Sequence, residues 1–126
     1  MKQIGFEFEM YETMYEDCFI DRSMYANGNL KLSLYGKDLK NSNTDYYNTE
    51  HLAEITLDQD IYKLPLNEVI VDNHFKPSLI PQLQSLGIIK DMLCMCYVKG
   101  KLYPKYSLNM DKVIAKSFKI PNLVAA

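Results

Sequence analysis

Long apolar runs are missing from this chain. No stretch approaches the roughly 18 consecutive apolar residues of a membrane-spanning helix, and the opening MKQIGFEFEM interleaves glutamates where a signal peptide needs an unbroken apolar core. Cysteine is scarce and odd in number: Cys18, Cys94 and Cys96 cannot all pair, which fits a reducing compartment. Together these absences predict a soluble, cytoplasmic protein with no membrane partner. The five glycines are scattered, so there is neither a phosphate-cradling loop nor a Gly-x-Ser-x-Gly elbow, and nucleotide hydrolysis has no support. Positive charge is not in excess either; a net charge of -2 excludes a strongly basic nucleic-acid binder. Internal repeats, low-complexity tracts and linkers are lacking, and residues 1–126 read as a single domain.

What is present is the material of a folded core. At 48% hydrophobic and 24% charged residues the composition is that of a globular protein, and a chain of this length buries roughly two thirds of its unfolded surface. From Lys2 to Met10 the sequence alternates Ile4, Phe6, Phe8 and Met10 with Gly5, Glu7 and Glu9, the period of a strand with one face dry and one wet. Tyr11 to Thr13 turns the chain, and Met14 to Arg22 forms a less regular strand. Asn27 and Gly28 favour a tight hairpin turn, after which Leu30, Leu32 and Leu34 alternate with Lys31, Ser33 and Tyr35.

Gly36 to Thr49 is polar and without period, a loop of about fourteen residues. Strand character resumes at Leu52 to Leu57, and Val69 to Val71 reads as a strand buried on both faces. Pro77 and Pro81 confine a central helix to about residues 78–86, stopped by Gly87 in a left-handed cap, with Leu79, Leu83 and Leu86 on one stripe. Met92 to Val98 and Leu102 to Leu108 flank a turn at Gly100, with Pro104 demoting the second strand to an edge or a bulge. Met110 to Lys119 is a short amphipathic helix with Val113, Ile114 and Phe118 on its apolar face. The predicted fold is α+β: one twisted antiparallel sheet of about six to seven strands, a central helix packed on it and a short C-terminal helix.

The polar residues supply few chemical groupings. Cys94 and Cys96, two apart in a strand, share a face but lack the paired ligand spacings of a zinc site, so a buried apolar role is expected and no metal or other cofactor is assigned. Asp72 and His74 end a strand with no nucleophile near them in sequence and read as a polar cap for the following helix. Tyr97, Tyr103 and Tyr106 alternate with Lys99, Lys101 and Lys105, a mixture that can stack single-stranded nucleic acid; the overall negative charge opposes that reading. No catalytic residue is assigned.

Two surfaces remain as candidates for binding a protein. Tyr46 and Tyr47 stand in the polar loop, where rigid rings anchor interfaces at low entropic cost. Glu7, Glu9, Glu12 and Glu16, with Asp17 and Asp21, make an acidic first segment, while Lys99, Lys101, Lys105, Lys112, Lys116 and Lys119 make a basic last one. The two blocks either pair in the fold or leave an acidic surface for a basic partner groove.

The run SMYANGNLKLSLY resembles the opening of a family of small uncharacterised proteins, domain of unknown function 4313, in which a Tyr-Ala-Asn turn precedes an alternating aliphatic strand. AEITLDQDIYKLPLNEVIVDNH is similar to its second block, Leu86 and Gly87 to the end of its helix, and MCYVKGKLYPKYSLNMDKV to its closing strand. The longer Gly36 to Thr49 loop, and Lys76 with Pro77 where the family has Pro-Trp, depart from it; this chain contains no tryptophan. The resemblance implies a phage or mobile-element origin without an assigned activity, in agreement with an A- and T-rich codon bias: Arg22 is the single arginine beside thirteen lysines. By analogy, the expected function is a non-catalytic module that binds a host defence nuclease, of anti-CRISPR or anti-restriction type. The alternatives are an accessory module joining proteins of the element itself, and a small-ligand binder or enzyme built around Asp72, His74 and a cysteine.

Overall fold

A computed structural model describes residues 5–38 and 49–117. Its chain order is β1 (Phe6–Met10), β2 (Thr13–Met24), β3 (Leu30–Asp38), β4 (Glu50–Glu54), β5 (Glu68–Ile70), α1 (Leu79–Ser85), β6 (Ile89–Val98), β7 (Lys101–Leu108) and α2 (Met110–Ala115). The class is α+β with antiparallel sheets and two short helices among the described residues. In place of one sheet there are two, of order β1-β2-β3-β4 and β5-β7-β6. They are stitched together where the chain leaves β4: Ile55 N–H bonds to Leu32 O, Asp72 N–H to Ile55 O and Leu57 N–H to Ile70 O, with Thr56 bridging Val71. None of the described helices is long and apolar enough to cross a membrane.

Period-two residues fill the core. Phe8, Met10, Leu32, Leu34 and Ile55 are fully buried together with Leu79 and Leu83 of α1, and Phe6 and Leu86 pack against them. Ile4 lies outside the described residues. The short β5 is dry on both sides, because Val69 and Val71 face this main cluster while Ile70 joins a second one with Cys96, Val98 and Tyr103. Gly87 ends α1 at φ +77, and the Ile88 N–H bonds back to Leu83 O.

Long-range pairing adds to some expectations and corrects others. Asn27 and Gly28 make the expected tight hairpin turn, with Tyr25 N–H bonded to Asn29 O, Gly28 N–H to Tyr25 O and Gly28 at φ +90, and the side chains of this turn also clamp a distant segment. Asn27 Nδ2 donates to Gln59 O, Asn29 Nδ2 donates to Tyr62 O, and Asn29 Oδ1 accepts from Leu64 N–H. Tyr25 OH bonds to Thr56 O in the same region. Gly36 belongs to β3 rather than to a loop, where a side chain would meet Cys18; a Cβ there would stand 2.6 Å from the Cys18 sulfur.

Pro104 lies in β7, the central strand of its sheet rather than an edge. Its carbonyl accepts from Val71 N–H just beyond the last β5 pair, Ile70 with Lys105, so the missing donor falls at the end of a ladder. In α2, Val113 is buried but Ile114 is 52% exposed, against the expected apolar face, and Phe118 and Lys119 lie outside the described residues.

Candidate functional site: an acidic hairpin with a strained tip

The pairs Glu9 with Met14 and Phe8 with Tyr15 set the faces of the β1–β2 hairpin. Phe8 and Tyr15 turn to the core, so alternation sends Glu7, Glu9, Met14 and Glu16 to the outer face. Glu7 and Glu9 are exposed, and Glu16 is half-buried. Asp17, at φ +52, is the bulge residue at which the register of β2 shifts. The bulge restores Cys18 to the core face opposite Phe6.

Met10 pairs Thr13, leaving Tyr11 and Glu12 as a two-residue turn at φ +54 and +65. This is the turn whose twist suits a hairpin, and it normally takes Asn-Gly. Here two bulky L-residues hold the left-handed conformation, at about 1–2 kcal/mol each. Tyr11 is 62% exposed at this tip. The hairpin is braced from behind: Glu9 N–H donates to Gln82 Oε1, while Ser78 Oγ and Gln82 Nε2 both donate to Glu9 O. Ser78 thus serves the β1 edge and makes no side-chain cap for α1. Glu9, Tyr11, Glu12, Pro77 and Ser78 line an open groove between the tip and the helix start.

The acidic and basic blocks do not neutralise each other. Asp17 pairs Lys37 at 3.8 Å, Lys105 pairs Glu68 at 3.4 Å, and Lys116 sits over the Phe6 ring. Glu7, Glu9, Glu12 and Glu16 have no ion-pair partner among the described residues. Their field is felt inside the protein: burial, then Asp17, Glu7 and Glu16, push the Cys18 thiol up to about 12.

The other predicted groupings disperse. Tyr46 and Tyr47 lie outside the described residues. Asp72 pairs Lys76 at 3.2 Å, whereas the His74 ring bonds to Leu102 O and stacks on Tyr103, so the two do not form a proton-transfer pair. Cys96 is buried with its thiol raised by burial and by Cys94, but Cys94 itself is exposed, against expectation. Tyr106 faces the main core and Tyr103 the second cluster, which leaves Tyr97 outside and no common stacking face. The described residues include no group of three or more side chains suited to a metal ion.

The sequence marks the four glutamates by their crowding in the first segment and puts the turn at Tyr11 to Thr13, but with no Gly or Asn there nothing local shows that Tyr11 and Glu12 hold it at positive φ. The bracing by Gln82 was equally invisible, as 73 residues separate it from Glu9. The chain matches no family model, no curated protein and no solved structure.

Proposed function

We propose that this chain is a non-catalytic protein-binding module that engages a basic surface through the outer face and tip of the β1–β2 hairpin. The charge layout carries this reading: Glu7, Glu9 and Glu16 share one wet face, Glu12 stands at the tip beside an exposed tyrosine, and no lysine from the basic block is paired with them among the described residues. Like charges held together and a left-handed turn without glycine both oppose folding, and recognition is a function that accounts for keeping them. An acidic strand edge with an aromatic tip fits a lysine-rich groove by charge complementarity, which speeds and steers association.

The family resemblance and the lysine-biased composition support a reading in which this module belongs to a phage or mobile element and its partner is a host defence nuclease, whose nucleic-acid channel the hairpin would occupy. The test is affinity capture from host-cell extract with the whole chain, beside a Glu7→Lys, Glu9→Lys, Glu16→Lys variant and a Tyr46→Ala, Tyr47→Ala variant. Recovery of a nuclease by the intact chain and its loss with the charge-reversed hairpin is the expected result. Recovery of proteins of the element alone would instead select the accessory-module reading. Equal capture by all three chains, each with an unchanged circular dichroism spectrum, would discard the hairpin as the interface.

A further inference from the structure

Two thiols away from the hairpin share one face of β6. Cross-strand pairing is regular from Cys94 to Val98: Cys94 lies opposite Lys105, Met95 opposite Pro104 and Cys96 opposite Tyr103. Alternation therefore puts Cys94 and Cys96 on the same side of the sheet and Met95 on the other. Both are free thiols, Cys94 exposed and Cys96 buried. Cys96 belongs to the second apolar cluster with Ile70, Val98 and Tyr103, against which Leu57, Tyr62 and Leu64 pack. One sulfur is thus open to solvent, and its neighbour lies at the rim of a dry pocket.

The two thiols act on each other. Burial first, and then Cys94, raises the Cys96 thiol, while Lys105 opposes the rise by favouring the thiolate. Lys105 stands across the ladder from Cys94 and pairs with Glu68 at 3.4 Å, which fixes a cation beside the sulfurs.

Strand geometry decides what the pair can do. Residues two apart in an extended strand are separated by about 6.6–6.8 Å, and their side chains stand side by side. A disulfide needs Cβ atoms at roughly 3.5–4.5 Å, so a direct S–S bond would require the regular ladder at Cys94 to Val98 to buckle. An atom between the sulfurs removes that demand, because two metal–sulfur bonds of about 2.3 Å each, the zinc–thiolate length, span a gap that one S–S bond of about 2.0 Å cannot. The ligand set also selects the metal. Structural zinc takes four ligands, and the described residues hold no group of three or more side chains suited to a metal ion. Thiolates are the soft donors that Cu(I) prefers, and Cu(I) accepts two of them in line.

We propose that Cys94 and Cys96 form a two-thiolate site for a single Cu(I) ion. Cys94 is the point of entry, Cys96 anchors the ion at the apolar cluster, and Lys105 offsets the negative charge left by two thiolates around one monovalent cation. Binding displaces one proton from each thiol and changes no oxidation state. This inference does not depend on the function proposed for the hairpin.

Anaerobic titration of the reduced full chain with Cu(I), in competition with a coloured Cu(I) chelator, tests it. The expected result is one ion held per chain, with an affinity that rises with pH as the thiol protons are released. Cys94→Ser, at an exposed position, should lose the ion while its circular dichroism spectrum stays unchanged. X-ray absorption at the copper edge should show two sulfur neighbours. Retention of the ion by Cys94→Ser, no uptake against the chelator, or three or more sulfurs around the copper, as when an ion bridges two chains, would each overturn the proposal.

Discussion

Cys18 is completely enclosed between β1 and β3, under a roof of carboxylates, and its thiol is raised from 9.0 to about 12. A raised acid binds its proton more tightly in the folded state. Its contribution to stability is therefore complete below pH 9 and declines above it, as the unfolded thiol ionises first, by up to about 1.4 kcal/mol per pH unit. Urea unfolding between pH 8 and pH 11 should show that loss, with a shallower slope for Cys18→Ala; equal slopes would contradict the assignment. Alkylation of the native protein at pH 8 should likewise label exposed Cys94 and spare Cys18, as read by peptide mass. Asn29 illustrates a residue whose role cannot be read locally. Its amide serves Tyr62 and Leu64 from the end of a hairpin turn whose local sequence encodes the turn and not these partners. Asn29→Ala should cost about 2–3 kcal/mol in chemical denaturation, since both partner groups lose a bond in a partly buried site.

At the scale of elements, the strands were legible where one face alternates. Phe8 and Met10, Leu32 and Leu34, and Ala53 and Ile55 all face the core as their spacing requires. The helix was legible from Pro77, Pro81 and Gly87. What pairs with what was not, because the position of Pro104 in a central strand depends on where β5 ends, which no local pattern encodes. The same holds for the hairpin tip, whose φ values are imposed by two-residue closure on residues that would not choose them. Replacing Tyr11-Glu12 by Asn-Gly should therefore raise hairpin stability by about 1 kcal/mol in thermal unfolding while weakening partner binding. A variant that gains no stability would show that the turn is unstrained. For α1, Leu83→Ala removes a completely buried side chain between the sheet and the helix and should destabilise by about 2–5 kcal/mol.

At the scale of the whole molecule, the acidic block of the first segment and the basic block of the last are not joined by ion pairs among the described residues. β7 lies in the other sheet, where Lys105 finds Glu68, and Lys116, which follows α2 and reaches β1, lies over the Phe6 ring rather than against a hairpin glutamate. The sequence showed that both blocks exist; only the topology decides that they do not cancel. The lack of ion pairs at the hairpin glutamates is what the proposed recognition role rests on, and that role has a direct test. The affinity of the captured partner for the whole chain should be measured at rising salt, beside the Glu7→Lys, Glu9→Lys, Glu16→Lys variant. Binding that weakens steeply with salt in the intact chain, and that the variant loses, is the predicted outcome; salt-independent binding retained by the variant would contradict it.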